Sequence, residues 1–171
     1  MKTIAFFNNK GGVAKTTSVI NVAYILAEVM HKSVMIIDCD GQQNASRFFT
    51  DVIPEYGIEE ALLNTMTTLL SAFSHTRYEN IDIVCSTQKM NDCSKEFEQL
   101  TSEIQQMNLN KIKQFSSDYD YVLLDLPPAL NCLTEKILGI TDSVIVPVEL
   151  GTFAIQGVSD FDFVPSIRQG I

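Results

Sequence analysis

The stretch "NNKGGVAKTT", Asn8 to Thr17, follows directly on the apolar run "IAFF" and leads into "SVINVAYILAEV", whose apolar residues return at helical intervals. Strand, glycine-rich turn and helix is the order that a phosphate-binding loop requires. Such a loop works because consecutive backbone N–H groups point inward at a helix N-terminus, where the helix dipole also favours an anion. A lysine adds a point charge, and a threonine hydroxyl can ligate magnesium. Gly11, Gly12, Lys15 and Thr16 meet these needs, with Lys10, Val13 and Thr17 beside them. The usual pattern asks for glycine where Asn9 and Ala14 stand. If position 14 needs a positive φ, its methyl group costs ~1–2 kcal/mol and crowds bound phosphates. Binding a triphosphate with magnesium can outweigh that cost.

Working outward, four more short apolar runs resemble the first: "SVMIID" at 33–38, "IDIVCS" at 81–86, "YVLLDLP" at 121–127 and "SVIVPV" at 143–148. Each is aliphatic on both faces, as suits a parallel strand covered by helices above and below. Helical spacing lies between them. Val19, Val22, Ala23 and Leu26 form one apolar stripe; Ile58, Leu62, Met66, Leu69 and Phe73 form a second; Phe97, Leu100, Ile104 and Met107 form a third. A shorter helix is expected over about Leu133 to Leu138, with Gly139 in the left-handed conformation that stops it. The alternation of strand and helix predicts an α/β fold, a three-layer doubly wound and mostly parallel sheet. At 171 residues and 46% hydrophobic content, a single domain over 1–171 is expected.

In such sheets ligands bind at the carboxyl ends of the strands. The second run ends in "IIDCDGQQNAS", where Asp38 and Asp40 share one side of an extended chain. Two carboxylates there suit a magnesium shell and a polarised water; a helix cap or turn is the plainer use. The fourth run ends in "VLLDLPPAL", and Asp125 is placed to hold magnesium through water. The fifth continues into "VPVELGTFAIQGV", with a helix start expected over Phe153 to Val158.

Twelve basic residues against twenty-one acidic ones leave a net charge of -9, a field that repels nucleic-acid phosphates and gives DNA binding no support. Cys39, Cys85, Cys93 and Cys132 form no CxxC pair and read as reduced thiols of a cytoplasmic protein. "TIAFF" is too short for a secretory signal, and no segment has the roughly 20 apolar residues of a membrane span. His31, at the end of the first helix, and His75, in a polar loop, read as structural or solvated.

Taken together, four segments resemble the ParA/MinD family of deviant phosphate-loop ATPases. The family's KGGVGKTT is KGGVAKTT here, and its "DxDPQGNA" is "DCDGQQNA". "YDYVLLDLPPAL" is similar to its "YDYIIIDCPPSL", and "DSVIVPVELGTFAIQG" to its "D.viiPv...yfAl.G". The resemblance implies a P-loop nucleotide hydrolase fold and an ATP-dependent homodimer that hydrolyses ATP with magnesium, as plasmid and chromosome partition ATPases do. It implies that Lys15 contacts the β- and γ-phosphates, Thr16 the magnesium, and Thr17 with the backbone of Gly11, Gly12, Val13 and Ala14 lines the phosphates. Lys10 matches the lysine that reaches the partner's ATP, Asp40 the residue orienting the attacking water, Asp38 a neighbour of the magnesium and Asp125 the acidic-strand carboxylate. A partner protein that stimulates hydrolysis and non-specific DNA are implied by the family alone, and a membrane by neither the family's partition branch nor the sequence.

Three departures accompany the resemblance. Ala14 replaces glycine, which predicts slow hydrolysis; Gly41 and Gln43 replace a proline and a glycine after Asp40; and the strands and basic surface that family members carry beyond "VPSIRQGI" are missing, as expected of a shortened form or a short relative. The alternative is a nucleotide-binding interaction module with little or no hydrolysis. A weaker one is an iron–sulfur reductase using Cys132 and Cys93, against which the surroundings "ALNCLTE" and "MNDCSKE" lack glycines.

Overall fold

The computed structural model describes residues 1–149. Six strands form one sheet: β1 (Lys2–Phe6), β2 (Val34–Asp38), β3 (Phe73–His75), β4 (Ile81–Val84), β5 (Tyr121–Asp125) and β6 (Ser143–Ile145), in the order β3-β4-β2-β5-β1-β6. All neighbours are parallel except β3, which pairs antiparallel with β4 at one edge. The predicted α/β architecture is present, with β3 as an addition. No apolar run announced this strand, because its edge position leaves Ser74 and His75 half-buried or exposed.

Two layers of helices cover the sheet. On one face α1 (Lys15–Tyr24), which continues in a π-helical turn over Ile25–Val29, and α2 (Asn44–Phe49) bury Val19, Ala23, Ala45 and Phe49 against Phe6, Ile36, Ile83 and Leu123. On the other face α3 (Ile58–Leu63), α4 (Met90–Glu98), α5 (Ser102–Phe115) and α6 (Cys132–Gly139) cover Met35, Ile37, Val84, Val122 and Leu124. All five residues of β2 are buried, which is why that run reads as continuously aliphatic and does not alternate. Its four apolar side chains, Val34 to Ile37, each contribute about 1.5–3 kcal/mol by leaving water.

The structure corrects three helical expectations. The stripe from Ile58 to Phe73 is not one helix: α3 stops at Leu63, Met66 is 87% exposed, Leu69 lies in a 3-10 turn (Leu69–Ala72) and Phe73 in β3. Asn64 ends the helix because its Oδ1 accepts from the Met66 N–H at 2.9 Å, an alternative to the helical bond. Lys111 Nζ then donates to the carbonyls of Ala61, Asn64 and Thr67 at 2.8, 2.6 and 2.9 Å, which holds the chain out of helix.

The stripe from Phe97 to Met107 is likewise split. Thr101, whose side chain accepts from the Ile104 N–H, starts α5 in a new phase that buries Gln105, Asn108, Leu109 and Ile112 and leaves Met107 48% exposed. Gly139 is the last residue of α6 and not a left-handed cap; Gly12 is the one glycine with positive φ among the described residues. A left-handed stop occurs after the first helix, where His31 sits at φ 51 and the Lys32 N–H reaches back to Leu26 O at 2.9 Å. Of the fifth run, Ser143–Ile145 is strand, and the expected helix start at Phe153 to Val158 lies outside the described residues.

Candidate functional site

The three strands that carry the motifs are neighbours, in the order β2-β5-β1 at the middle of the sheet. Register pairs Asp125 with Phe6 on one side and with Asp38 on the other. The phosphate loop, the Asp38–Asp40 segment and Asp125 therefore meet at one edge of the sheet despite their distance in sequence. There the loop and Asp40 bound an open cleft of ≈ 450 Å³ lined by Gly11, Gly12, Ala14, Lys15, Thr16, Thr17, Asp40, Gln42, Asn44 and Pro128, while Asp38 and Asp125 are buried and do not line it. That is a size suited to a nucleotide's polar end.

Position 14 does require the left-handed conformation: Ala14 sits at φ 61, ψ 31 as the residue before α1. Gly12 is also left-handed, at φ 78, and a Cβ at Gly11 or Gly12 would meet no protein atom within 4 Å. Those two glycines thus leave room on the cleft side and not for packing. The Ala14 carbonyl starts the helix by accepting from Ser18 N and Oγ at 2.9 and 2.8 Å.

Lys15 is only 8% exposed, and its Nζ donates to Lys10 O at 3.4 Å across the loop. Burial lowers its pKa from the ordinary lysine value, and the charges of Asp125 and Asp40 push back against that effect. Lys10, by contrast, points its ammonium outward, 3.3 Å from Glu149, with the two side chains 60% and 69% exposed. A pair so exposed is weak and readily exchanged for another partner.

Thr16 Oγ1 donates to Asp125 Oδ2 at 2.7 Å. The other carboxylate oxygen, Asp125 Oδ1, is buried without a hydrogen-bond partner. Burial drives the Asp125 pKa up to about 7; the Thr16 bond opposes this most, and Asp38 and Asp40 add to it. A buried orphan oxygen next to a hydroxyl and a lysine is what a hydrated magnesium ion on a phosphate would satisfy, so the residues fit the ion. No three acids, histidines or cysteines converge into an all-protein metal cage among the described residues. Magnesium on a nucleotide needs none, because water and phosphate oxygens complete its shell.

Asp38, expected beside the magnesium, is held by the protein itself. Both its oxygens are engaged: Oδ1 accepts from Asp40 N at 3.0 Å, and Oδ2 from Ser46 N and Oγ at 2.8 and 2.7 Å. It is fully buried, and burial raises its pKa. Asp38 anchors the start of α2 and adds negative charge behind Asp125. Asp40 reaches the cleft, with its Oδ1 accepting from Gln42 N at 2.9 Å.

Sequence reasoning missed Ser46, Ser86 and the side chain of Gln43, which hold this turn together from behind. Ordinary serines in "NASR" and "VCST" carry no signal until the fold buries them. Cys39, Cys85 and Cys93 are buried and Cys132 is half-buried; burial pushes the Cys85 and Cys93 thiols up to about 12, as suits core residues and not cluster ligands. His75 is not in a loop: it ends β3, with Nδ1 2.7 Å from Asp82 Oδ1.

A family model described as an AAA domain matches residues 1–169. The chain belongs to this family. The sporulation initiation inhibitor protein Soj of Bacillus subtilis is 30% identical over 162 residues, 92% of this chain and 62% of that protein. The chromosome partitioning protein ParA of Myxococcus xanthus is 30% identical over 99% of this chain and 60% of its own length. This chain's sequence is ParA/MinD-like by similarity to these two proteins, and it spans about three-fifths of their length. Among solved structures, cobyrinic acid a,c-diamide synthase from Mycobacterium smegmatis, with a bound ATP analogue and magnesium, superposes with a TM-score of 0.87 at 26% identity, over 100% of this chain and 69% of that one. A plasmid partition protein from Borrelia burgdorferi shares the fold, with a TM-score of 0.81 at 24% identity over 98% of this chain and 74% of its own.

Proposed function

We propose that this chain binds ATP with magnesium and hydrolyses it, acting as one P-loop domain and as a dimerisation switch of the partition-ATPase kind. The observation that carries the reading is the contact of Thr16, at the start of the helix after the lysine-bearing loop, with Asp125, whose other oxygen is buried and unpartnered. The relatives named Soj and ParA, and the nucleotide and magnesium in a structural neighbour, support it.

In this mechanism the N–H groups of Gly11 to Lys15 and the Lys15 ammonium hold the β- and γ-phosphates at the start of α1. Thr16 and Asp125 hold magnesium, with Asp38 behind them; the ion supplies charge neutralisation on the transferring phosphoryl group. Asp40 orients water for in-line attack, and the chain accelerates the step mainly by position and by prearranged charge. Lys10, already outward and weakly paired, reaches the nucleotide of a second copy. A stimulating partner protein and a cytoplasmic setting belong to the same proposal; no helix of the described residues is long and apolar enough to cross a membrane. Non-specific DNA binding rests on the family resemblance alone, and the net charge of -9 gives it no support.

Titration with ATP, ADP and GTP in magnesium, read by native mass and by phosphate release, tests this. Lys15→Ala should weaken ATP binding on the order of 100-fold, as loss of a charged phosphate contact does, and Lys10→Ala should abolish ATP-dependent dimers while sparing binding. A chain that stays monomeric and unliganded in ATP and magnesium would sink the reading.

One observation favours the alternative of binding without turnover: the left-handed Ala14, whose methyl group lies on the cleft. Tight ATP binding with no phosphate release, restored by Ala14→Gly, would select it.

A further inference from the structure

We propose that Ser86 and Gln43 are positioning residues for Asp40, a role that rests on the hydrolytic reading above. Ser86, just beyond β4, is fully buried, and its Oγ donates to Asp40 O at 2.7 Å. Its own N–H donates at 3.2 Å to Ser46 Oγ, the hydroxyl that donates to Asp38. Gln43 lies on the turn after Asp40 and is 6% exposed. Its Nε2 donates to Ser86 O at 3.0 Å, and its Oε1 accepts from Arg47 Nη2 at 2.9 Å. The Asp40 N–H is meanwhile fixed on Asp38 Oδ1. Asp40 is thus tied on both of its peptide sides, once to β2 through Asp38 and once to β4 through Ser86.

The cost of this arrangement shows what it does. Gln43 adopts φ 59, ψ 28, where glycine would sit without strain. A residue serving only to turn the chain needs no side chain there. The buried amide instead uses both its donor and acceptor ends, and joins the turn to the end of β4 and to α2. A carboxylate that must aim one water at a phosphorus needs its backbone held within a fraction of an ångström. The clamp supplies this without any of its members entering the cleft: neither Ser86 nor Gln43 lines it.

The test compares the full-length wild-type protein with Ser86→Ala and Gln43→Gly, and with each of them combined with Asp40→Asn. Single-turnover phosphate release, magnesium-ATP affinity and thermal unfolding are measured. Each single variant should lower the hydrolytic rate by about tenfold to a hundredfold, with affinity within about twofold of wild type because the phosphate loop is untouched. Gln43→Gly should not lower Tm, since relief of the left-handed strain offsets the lost bonds. Neither change should reduce the rate further once Asp40 is asparagine.

Unchanged rates in either folded variant overturn the inference, and so does a rate loss that follows a loss of affinity, or a further drop in the Asp40→Asn background. A wild-type chain that binds ATP yet never hydrolyses it overturns the hydrolytic reading and this inference together. An active wild type with indifferent variants overturns the inference alone.

Discussion

The phosphate loop and the Asp40 turn meet at the same cleft and solve the same problem differently. Each places a residue other than glycine in the left-handed conformation immediately before a helix: Ala14 at φ 61 before α1, Gln43 at φ 59 before α2. Ala14 is exposed, and its methyl group forms no compensating bond. Gln43 is buried and returns two side-chain hydrogen bonds. The strain is comparable, but one is bare and the other is built into a network. The turn's strain is offset by its protein partners, and the loop's has no such side-chain partner at Ala14.

Four substitutions sharpen or break that contrast, in descending size. The largest is at Asp125, where both regions converge. Burial holds its folded pKa at about 7, well above that of an ordinary aspartate, so the stability it contributes is fully present below about pH 4 and lost as pH rises through 7. Asp125→Asn should therefore stabilise the ligand-free protein by on the order of 4 kcal/mol at pH 8 and by much less near pH 4. Urea unfolding at the two pH values decides it; equal effects at both would mean that the buried charge is not the cause.

Next comes the network of the turn. Ser46→Ala removes a hydroxyl that bonds Asp38 and receives the Ser86 N–H, both buried. Leaving these groups unsatisfied should cost about 2 kcal/mol. Chemical denaturation showing no loss would make the network decorative and erase the contrast with the loop.

Smaller still is Ala14→Gly, which should raise stability by roughly 1 kcal/mol or less, since the ~1–2 kcal/mol of strain relieved exceeds what glycine's extra freedom in the unfolded chain costs. Gln43→Gly should change stability by less than about 0.5 kcal/mol, because relief of a similar strain is offset by two lost bonds. Matched thermal melts of the two glycine variants put the comparison directly. Equal gains would show that the Gln43 side chain contributes nothing.

Much of this site was legible in the residues. The loop, the acids at 38, 40 and 125 and the parallel sheet follow from glycine, lysine and carboxylates placed after aliphatic runs, because a strand end has no freedom but to present what comes next. The need for positive φ at Ala14 was readable too. The roles of Asp38 and Asp40 were less so: period two puts them on one side of an extended strand, yet Asp38 is withdrawn into bonds with Ser46 while Asp40 faces the cleft. Helix ends were poorly legible where side chains compete with backbone, as at Asn64, or restart a helix, as at Thr101. Spacing carries on through such residues while the chain does not.

The sequence by itself determined the class of fold and the chemical character of the cleft, because the strand preference of aliphatic runs and the anion affinity of a glycine-lysine loop are local consequences of residue type. Only the tertiary structure decided which carboxylate is spare and which is spoken for. Asp125 keeps an unpartnered oxygen because β5 lies between β1 and β2, against Thr16. Asp38 has none because α2 brings Ser46 to it. Hydrogen-bond partners come from distant segments, and no spacing along one segment states which distant group will arrive.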